Sequence, residues 1–278
     1  MGAMNRRLLV SALLLGALSG CKLDGFLFNP RKLSRYDLST AVIADSLRRI
    51  VTFTSGSETL YGVFARQPGN APRLTLLYSH GNKHHLQEYW DRVELLWQAG
   101  YDVFVYDYRG FGLSGGRSTS EETIFADARA ALRYVLALPD VPPISLVLYG
   151  YSLGAAPTLE LASNVVTPRA VITESAFTSG ETQVWSGSVL TIPGAYLLKG
   201  AFDNEAKAPR IKAPWLLLHG ALDSFVDANS SRTLFEKAGG PKQLRIIAGA
   251  GHTDVPFIYG RSAYSALIRM FGETPPRL

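Results

Sequence analysis

Cysteine, charge and repetition are all scarce in this sequence of 278 residues. Its single cysteine, Cys21, cannot form an intrachain disulfide or a cysteine-ligated zinc site. Charged residues make up 18%, and the lysines and arginines form no cluster of the kind that binds nucleic acid. There is no repeat or low-complexity tract, and a hydrophobic content of 47% is typical of a folded globular protein. We expect no nucleic-acid partner.

The N-terminus has the layout of an export signal. Arg6 and Arg7 precede an apolar run at 8–18, and small residues follow. A helix of that length rises only about 16 Å, which is too short for a hydrocarbon core of roughly 30 Å. The tetrapeptide Leu-Ser-Gly-Cys that ends at Cys21 resembles the lipobox of bacterial lipoproteins, in which the cysteine becomes the lipid-modified first residue. We expect a lipoprotein signal peptide at 1–20; an ordinary signal peptide and an uncleaved anchor are the alternatives.

A lipidated Cys21 leads to further expectations. The mature chain then has no free thiol, which excludes a cysteine nucleophile and suits export. Loss of Arg6 and Arg7 reduces the lysines and arginines from 28 to 26, against 23 acidic residues, so the net charge falls from +5 to +3. Lys22 follows the cysteine, as in lipoproteins sent to an outer membrane. We expect attachment to the bacterial cell envelope through Cys21, with residues 21–48 as a tether and lead-in.

Short apolar runs alternate with helical patterns over the rest of the chain. Each run ends in glycine or polar residues and is nearly continuous in hydrophobicity, which is typical of parallel strands covered on both faces. The first two runs suit an antiparallel pair, and the alternation that follows predicts a doubly wound, mostly parallel sheet. We expect strands at 50–55, 59–68, 74–81, 101–108, 145–150, 170–175, 214–220 and 243–249.

Helical patterns lie between these runs. At 121–137 apolar residues recur at three- and four-residue spacing, and Ser118 with Glu121 forms an S-x-x-E pattern that predicts a capping box. The interval 178–212 is unusually long, so we expect a small helical cap insertion there. Its bulky residues, which are candidates for lining an acyl pocket, are Trp185, Leu190, Tyr196 and Leu197. Further helices are expected at 86–98, 154–163, 228–238 and 256–270.

A serine between small residues follows the strand expected at 145–150. Ser152 has Gly150 and Gly154 two positions to either side, which is the G-x-S-x-G spacing of a nucleophile elbow. At such a sharp strand-to-helix turn the serine backbone is strained, and larger side chains at the flanking positions would clash. The hydroxyl becomes a nucleophile when a base takes its proton. The pattern therefore predicts Ser152 as a catalytic nucleophile.

Elimination indicates His252 as the base. It lies in AGAGHTD after the last expected strand, where an exposed loop could bring the imidazole back over the sheet. His84 and His85 fall in a polar loop and are expected to be solvated. His80 and His219 end strands, and His219 is expected to orient a loop.

Asp223 is the candidate acid that would orient His252. It follows the penultimate strand, and Ser152, Asp223 and His252 then occur in the order found in α/β-hydrolases. Asp227 is expected to cap the next helix. Glu174, after the preceding strand, is the competitor because some hydrolases take their acid from that position.

An oxyanion hole requires two preorganised N–H groups. The residue after the nucleophile, Leu153, supplies the first, and the loop after the third strand supplies the second. In His80-Gly81-Asn82 the backbone of Asn82 is the candidate, with Gly81 allowing a tight turn.

Five segments together resemble the α/β-hydrolase superfamily, and most closely its Bem46-type and S33-like serine hydrolases. The segments are SHGN, DYRGFGLSGG, GYSLGAAP, LHGALDSFVD and GAGHTD. The resemblance implies an α/β-hydrolase domain at 49–272 with an eight-stranded sheet whose second strand is antiparallel. It also implies that Arg109, in the second segment, is structural. The interval 178–212 is shorter than a lipase lid, which argues against interfacial activation.

These features predict a lipid-anchored serine hydrolase that cleaves esters or thioesters of small to medium acyl groups. Ser152 would attack, His252 would transfer protons, and Asp223 would orient His252. This chemistry requires no cofactor and no metal. A peptidase or amidase of the same fold is one alternative, with Glu181 as a candidate anchor for a substrate amine. A non-catalytic envelope lipoprotein is the other.

Overall fold

Nearly continuous apolar runs form the strands of one central sheet. The computed structural model describes residues 28–38, 42–69, 73–116, 120–139, 141–180 and 201–276. Its eight-stranded sheet has the order β10-β9-β8-β7-β4-β6-β3-β2. The strands are β2 Arg48–Ser55, β3 Glu58–Ala65, β4 Thr75–Ser79, β6 Asp102–Tyr106, β7 Leu146–Tyr151, β8 Ala170–Glu174, β9 Trp215–Gly220 and β10 Lys242–Ile247. Two short strands, β1 Asn29–Pro30 and β5 Lys83–His84, pair separately.

The sheet has the direction of strands that the resemblance implied. β3, the second strand of the sheet in chain order, is antiparallel to both of its neighbours, β2 and β6. All the other neighbouring pairs are parallel. The prediction of an α/β-hydrolase fold with a mostly parallel eight-stranded sheet is confirmed.

Helices cover both faces of the sheet. They are α1 Trp90–Gln98, α2 Glu121–Leu136, α3 Ala155–Asn164, α4 Asn204–Lys207, α5 Asn229–Lys237, α6 Val255–Ile258 and α7 Arg261–Glu273. Leu77 and Leu148 belong to the core shared with α2, α3 and α5. Their strand neighbours Leu76 and Val147 belong to the core shared with α1, α6 and α7. This alternation explains why both faces of these strands are apolar.

The start of α2 differs from the prediction. Its N-cap is Ser120, whose side chain accepts the Thr123 N–H while the Thr123 side chain accepts the Ser120 N–H. Glu121 is the first residue of the helix, whereas a capping box needs its second partner at the third position. The predicted pair of Ser118 and Glu121 is therefore wrong, and Ser118 itself lies outside the described residues.

The lead-in contributes to the fold before the sheet begins. Tyr36 and Leu38 are buried, and Ile43 is fully enclosed in the core beside α1. β1 pairs in parallel with β5, so that Asn29 lies opposite Lys83 and Pro30 opposite His84. No helix within the described ranges is both long and apolar enough to cross a membrane.

A backbone hydrogen bond joins the two described ends of the cap interval. The Gly180 N–H donates to the Ala201 carbonyl oxygen at 2.9 Å, and α4 follows. Residues 181–200 lie outside the described residues, and with them lie the expected pocket residues at 185–197 and the candidate amine anchor Glu181. Cys21 and the predicted signal peptide also lie outside.

Candidate active site

Ser152 lies at the turn between β7 and α3. Its backbone has φ = 52°, a left-handed conformation that non-glycine residues adopt only where the surrounding structure imposes it. A methyl group on Gly154 would lie 1.9 Å from the Ser79 carbonyl oxygen. A methyl group on Gly150 would lie 2.5 Å from the Gly154 carbonyl oxygen. Lack of space therefore requires glycine at both flanking positions.

His252 connects Ser152 to Asp223. Its Nδ1 lies 2.8 Å from Oδ2 of Asp223, and its Nε2 lies 3.0 Å from Oγ of Ser152. A carboxylate only accepts hydrogen bonds, so Nδ1 carries the proton and donates it to Asp223. The opposite ring nitrogen, Nε2, then faces the Ser152 hydroxyl and can accept its proton. The His252 side chain is 16% exposed while that of Asp223 is fully covered, so only the imidazole end of the pair faces solvent.

Asp223 is surrounded by hydrogen-bond donors. Its Oδ1 accepts the backbone N–H groups of Phe225 and Val226 at 2.9 and 2.8 Å. Nε2 of the buried His219 lies 3.2 Å from its Oδ2. Burial alone would raise the pKa of Asp223, but hydrogen bonds from His219 and His252 outweigh it and hold the pKa well below its ordinary value. Asp223 therefore stays negatively charged next to the imidazole of His252, where an anion would stabilise a positive charge on the ring.

Glu174, the competing acid, faces other partners. Its Oε1 accepts from Nη2 of Arg92 at 2.8 Å, and its Oε2 accepts the hydroxyls of Tyr149 and Tyr264 at 2.6 and 2.9 Å. The carboxylate is fully buried. The structure thus brings Asp223, and not Glu174, to the imidazole of His252.

The loop after β4 places Asn82 at the same edge of the sheet. Gly81 does not have a positive φ, so the turn itself does not require glycine. Lack of space favours glycine instead, because a methyl group there would lie 2.9 Å from the Tyr89 hydroxyl and 3.1 Å from the Tyr151 ring. His80 is buried, with its Nε2 3.1 Å from Oδ1 of Asp107. The Tyr108 hydroxyl donates to the His80 carbonyl oxygen at 2.8 Å. Buried contacts at His80 therefore hold the start of the loop that offers the Asn82 backbone.

Comparison with known proteins identifies the family. A family model described as serine aminopeptidase, S33, matches residues 70–204 and 181–254. The human alpha/beta hydrolase domain-containing protein 17B is 33% identical over 218 residues, which cover 78% of this chain and 73% of that protein. The chain belongs to the S33 family of α/β-hydrolases. The S33-like resemblance is confirmed, and the protein is a hydrolase.

Other similarities agree with the fold of this S33 hydrolase. The uncharacterized protein YfhR of Escherichia coli is 33% identical over 191 residues, covering 67% of this chain and 66% of that protein. The structure of an esterase from Pyrococcus furiosus matches with a TM-score of 0.71 at 18% identity, covering 88% of this chain and 97% of that one. Both matches span most of each partner, so the similarity extends well beyond the motifs around the candidate site.

Sequence reasoning missed several residues that hold the site of the S33 hydrolase in place. His85 was expected to be solvated, but it is 4% exposed and directly precedes the 3-10 turn Leu86–Tyr89. Asp107 was not singled out, although it accepts hydrogen bonds from the Tyr36 hydroxyl and the Leu86 N–H and contacts His80. The aspartate in DYRG was the available signal, since a carboxylate directly after a buried strand needs several donors.

The lead-in of the S33 hydrolase also reaches the site. The Asn29 N–H donates to Oδ1 of Asn82 at 3.0 Å, and the Arg31 N–H donates to the His84 carbonyl oxygen at 3.1 Å. No periodic pattern marks this segment, so the sequence carried no signal for these contacts.

Arg109 has the structural surroundings that the resemblance implied. Its Nη2 donates to Oδ1 of Asp127 at 2.7 Å and to Oγ of Ser55 at 3.1 Å, which connects the loop after β6 to α2 and β2. Within the described part of the chain, no group of His, Cys, Asp and Glu side chains could hold a metal ion.

Proposed function

We propose that the protein hydrolyses carboxylic esters or thioesters through Ser152, His252 and Asp223. The observation that carries the proposal is the unbroken series of hydrogen bonds from Ser152 Oγ through His252 to Asp223. Three side chains from separate loops meet with the donor and acceptor order that nucleophilic catalysis requires.

The proposed reaction proceeds in two halves. Oγ of Ser152 attacks the carbonyl carbon while Nε2 of His252 takes its proton, and Asp223 stabilises the resulting imidazolium. The backbone N–H groups of Asn82 and Leu153 would bind the oxyanion. The intermediate then expels the alcohol or thiol, which takes the proton from His252. Water, activated by the same imidazole, releases the acid and restores Ser152.

Two further observations support the nucleophilic role of Ser152. The 3-10 turn Ser152–Gly154 continues directly into α3, so the positive end of that helix lies beside the hydroxyl. The Pyrococcus furiosus protein of the same fold is named an esterase. We therefore favour oxygen and sulfur esters as substrates.

Amide or peptide hydrolysis is the second candidate because the family model is described as a serine aminopeptidase. The same three residues would serve, and an acidic side chain would have to bind the substrate amine. Kinetics on matched ester, thioester and amide substrates of one acyl group would decide. An amide is intrinsically less reactive than its matched ester, so amide turnover with a kcat/KM comparable to that of the ester would overturn the esterase proposal.

The first experiment is labelling of the mature protein with a fluorophosphonate probe, alongside Ser152→Ala and His252→Ala. We expect labelling of the wild type, none of Ser152→Ala, and strongly slowed labelling of His252→Ala. Competition by p-nitrophenyl esters of increasing acyl length would show which chain lengths the acyl pocket accepts. A folded wild type that resists labelling would overturn the proposal and favour the non-catalytic lipoprotein.

We propose further that Cys21 is lipid-modified and holds the enzyme at the bacterial cell envelope. The basic, apolar and small-residue order of residues 1–21 supports this proposal. Metabolic labelling with an alkynyl fatty acid should mark the wild type and spare Cys21→Ser, which should also leave the membrane fraction. Equal labelling of both forms would refute the anchor, and the outer membrane can be tested in the same cells by density separation.

A further inference from the structure

The loop that carries His252 is rich in glycine, and within it the Gly251 N–H donates to Oδ1 of Asp254 at 2.6 Å. Gly249 and Gly251 precede His252, and Gly249 has φ = 78°. Glycine loses more conformational freedom on folding than any other residue, so a loop rich in glycine depends on outside contacts to keep one conformation. Contacts from other elements therefore contribute to the position of the His252 ring.

Two side chains bind consecutive carbonyl groups of this loop. Nη2 of Arg92, on α1, donates to the Thr253 carbonyl oxygen at 2.7 Å. The Tyr151 hydroxyl, at the end of β7, donates to the His252 carbonyl oxygen at 3.1 Å. The Arg92 guanidinium also lies over the Tyr151 ring, 4.1 Å from its centroid, so each donor holds the other in place.

Glu174 fixes the guanidinium from the opposite side. The same Nη2 donates to Oε1 of Glu174, and the hydroxyls of Tyr149 and Tyr264 hold Oε2. Arg92 is 4% exposed. One buried network thus connects α1, β7, β8 and α7 to the backbone directly after His252.

Stability alone is a weak explanation for this network. The cost of removing two charges from water commonly cancels the attraction within a buried ion pair. A charged donor does, however, bind a carbonyl more strongly than a neutral donor does. The Thr253 carbonyl cannot shift without breaking contacts to a guanidinium that is already fixed by Glu174 and Tyr151.

We propose that Arg92, fixed by Glu174, is a positioning residue that sets the place of the His252 imidazole for proton transfer. This inference rests on the proposed function, because it assigns His252 the role of the base. The Arg92 side chain donates to Glu174 and Thr253 and not to Ser152, so it acts through Thr253 and His252. A misplacement of about 1 Å in a reacting group can cost roughly 10²-fold in rate, so the effect belongs in kcat and not in KM.

Arg109 provides the matched control. Like Arg92, it pairs with a fully covered carboxylate, that of Asp127, but it contacts α2 and β2 and not the His252 loop.

Steady-state kinetics on p-nitrophenyl butyrate would compare Arg92→Ala, Arg92→Lys and Arg109→Ala in the mature chain, with the urea midpoint measured for each. We expect kcat to fall by about 10- to 100-fold in Arg92→Ala with little change in KM. Arg92→Lys should recover part of the loss, and Arg109→Ala should lower the urea midpoint while leaving kcat unchanged.

A spectroscopic measurement separates this inference from the proposed function. The far-downfield proton resonance of Nδ1–H on His252 reports its hydrogen bond to Asp223 without any turnover. We expect it to shift or broaden in Arg92→Ala and in Tyr151→Phe and to stay unchanged in Arg109→Ala. If Arg92→Ala does not fold, Arg92→Lys and Tyr151→Phe supply the same comparison.

The outcomes can be distinguished. In one outcome, the wild type does not react with the fluorophosphonate while the His252 resonance still changes in the Arg92 variants. That result would refute the proposed function but support the effect of Arg92 on the position of His252. A labelled wild type whose folded Arg92 variants keep both the kcat and the resonance of the wild type would overturn the positioning role.

Discussion

Asp223 and Glu174 both lie at the carboxyl edge of the sheet, but their surroundings suit them to different roles. Asp223 receives donors that hold it as an anion beside His252. Glu174 is enclosed with Arg92 and two tyrosine hydroxyls. The first arrangement suits stabilisation of a charge that appears during the reaction, and the second suits a permanent ion pair.

The two carboxylates should therefore respond differently to neutralisation. We expect Asp223→Asn to lower kcat by about 10⁴-fold while the protein stays folded, because the amide favours the wrong imidazole tautomer. Glu174→Gln should lower kcat far less, by no more than the 10- to 100-fold expected of Arg92→Ala, and should destabilise the fold by about 3 kcal/mol, since it leaves the Arg92 charge buried without its partner. Ester kinetics and urea unfolding of both variants measure the two effects. The reverse pattern would make Glu174 the catalytic acid.

The lowered pKa of Asp223 also predicts the response of stability to acid. A carboxyl group whose pKa is lower in the folded state stabilises the fold above its unfolded pKa, about 3.9 for Asp, and loses that contribution as the pH falls towards the folded value. The difference in unfolding free energy between wild type and Asp223→Asn should thus be constant near neutral pH and shrink below about pH 4. Urea titrations across this range provide the measurement. A constant difference down to about pH 3 would contradict the assigned surroundings.

The turn between β7 and α3 stores backbone strain at Ser152. Because φ is 52° there, glycine should fit this position better than alanine. We expect both Ser152→Gly and Ser152→Ala to be inactive, but Ser152→Gly to be more stable than Ser152→Ala by about 1 kcal/mol. Denaturant unfolding of the pair tests this without any assay of activity. Equal stabilities would mean that the turn relaxes once the hydroxyl is removed.

Hydrophobic patterns predicted the extent of some elements closely and missed an interruption in another. The run expected at 170–175 is a strand at 170–174, and the pattern at 121–137 is a helix at 121–136. The helix expected at 256–270 is instead two helices, because Gly260 interrupts it with φ = 94°. Periodicity indicates which residues are buried, but a single backbone conformation between two apolar stretches leaves no periodic trace.

Prediction of the candidate site from the sequence has a similar limit. Ser152, Asp223 and His252 follow from motif spacing, because the fold brings the carboxyl ends of its parallel strands to one edge. The support from Arg92 does not follow, since it lies 82 residues from Glu174 and 161 from Thr253 along the chain. An arginine on an amphipathic helix carries no sign in the sequence that it points inward.

The lead-in connects the N-terminal end of the chain to the catalytic edge. Phe28 packs against Phe202 with ring centroids 6.3 Å apart, and β1 pairs with the strand directly after Asn82. Residues 21 to 28 span at most roughly 25 Å when fully extended. If Cys21 carries the proposed lipid, the lead-in attaches near the edge of the sheet that carries Ser152, and Phe28 stays within about that distance of the bilayer.

This connection predicts that the lead-in influences catalysis through the backbone of Asn82. Asn29→Pro removes the N–H that donates to Oδ1 of Asn82, and the residue before Pro30 is already restricted to the extended region that proline tolerates. Asn29→Ala keeps that N–H and is the matched control. We expect Asn29→Pro to lower kcat on a short ester by about tenfold, which is less than the 10²–10³-fold expected for outright loss of an oxyanion donor. A proline variant that matches both the alanine variant and the wild type would show that the loop holds Asn82 without the lead-in.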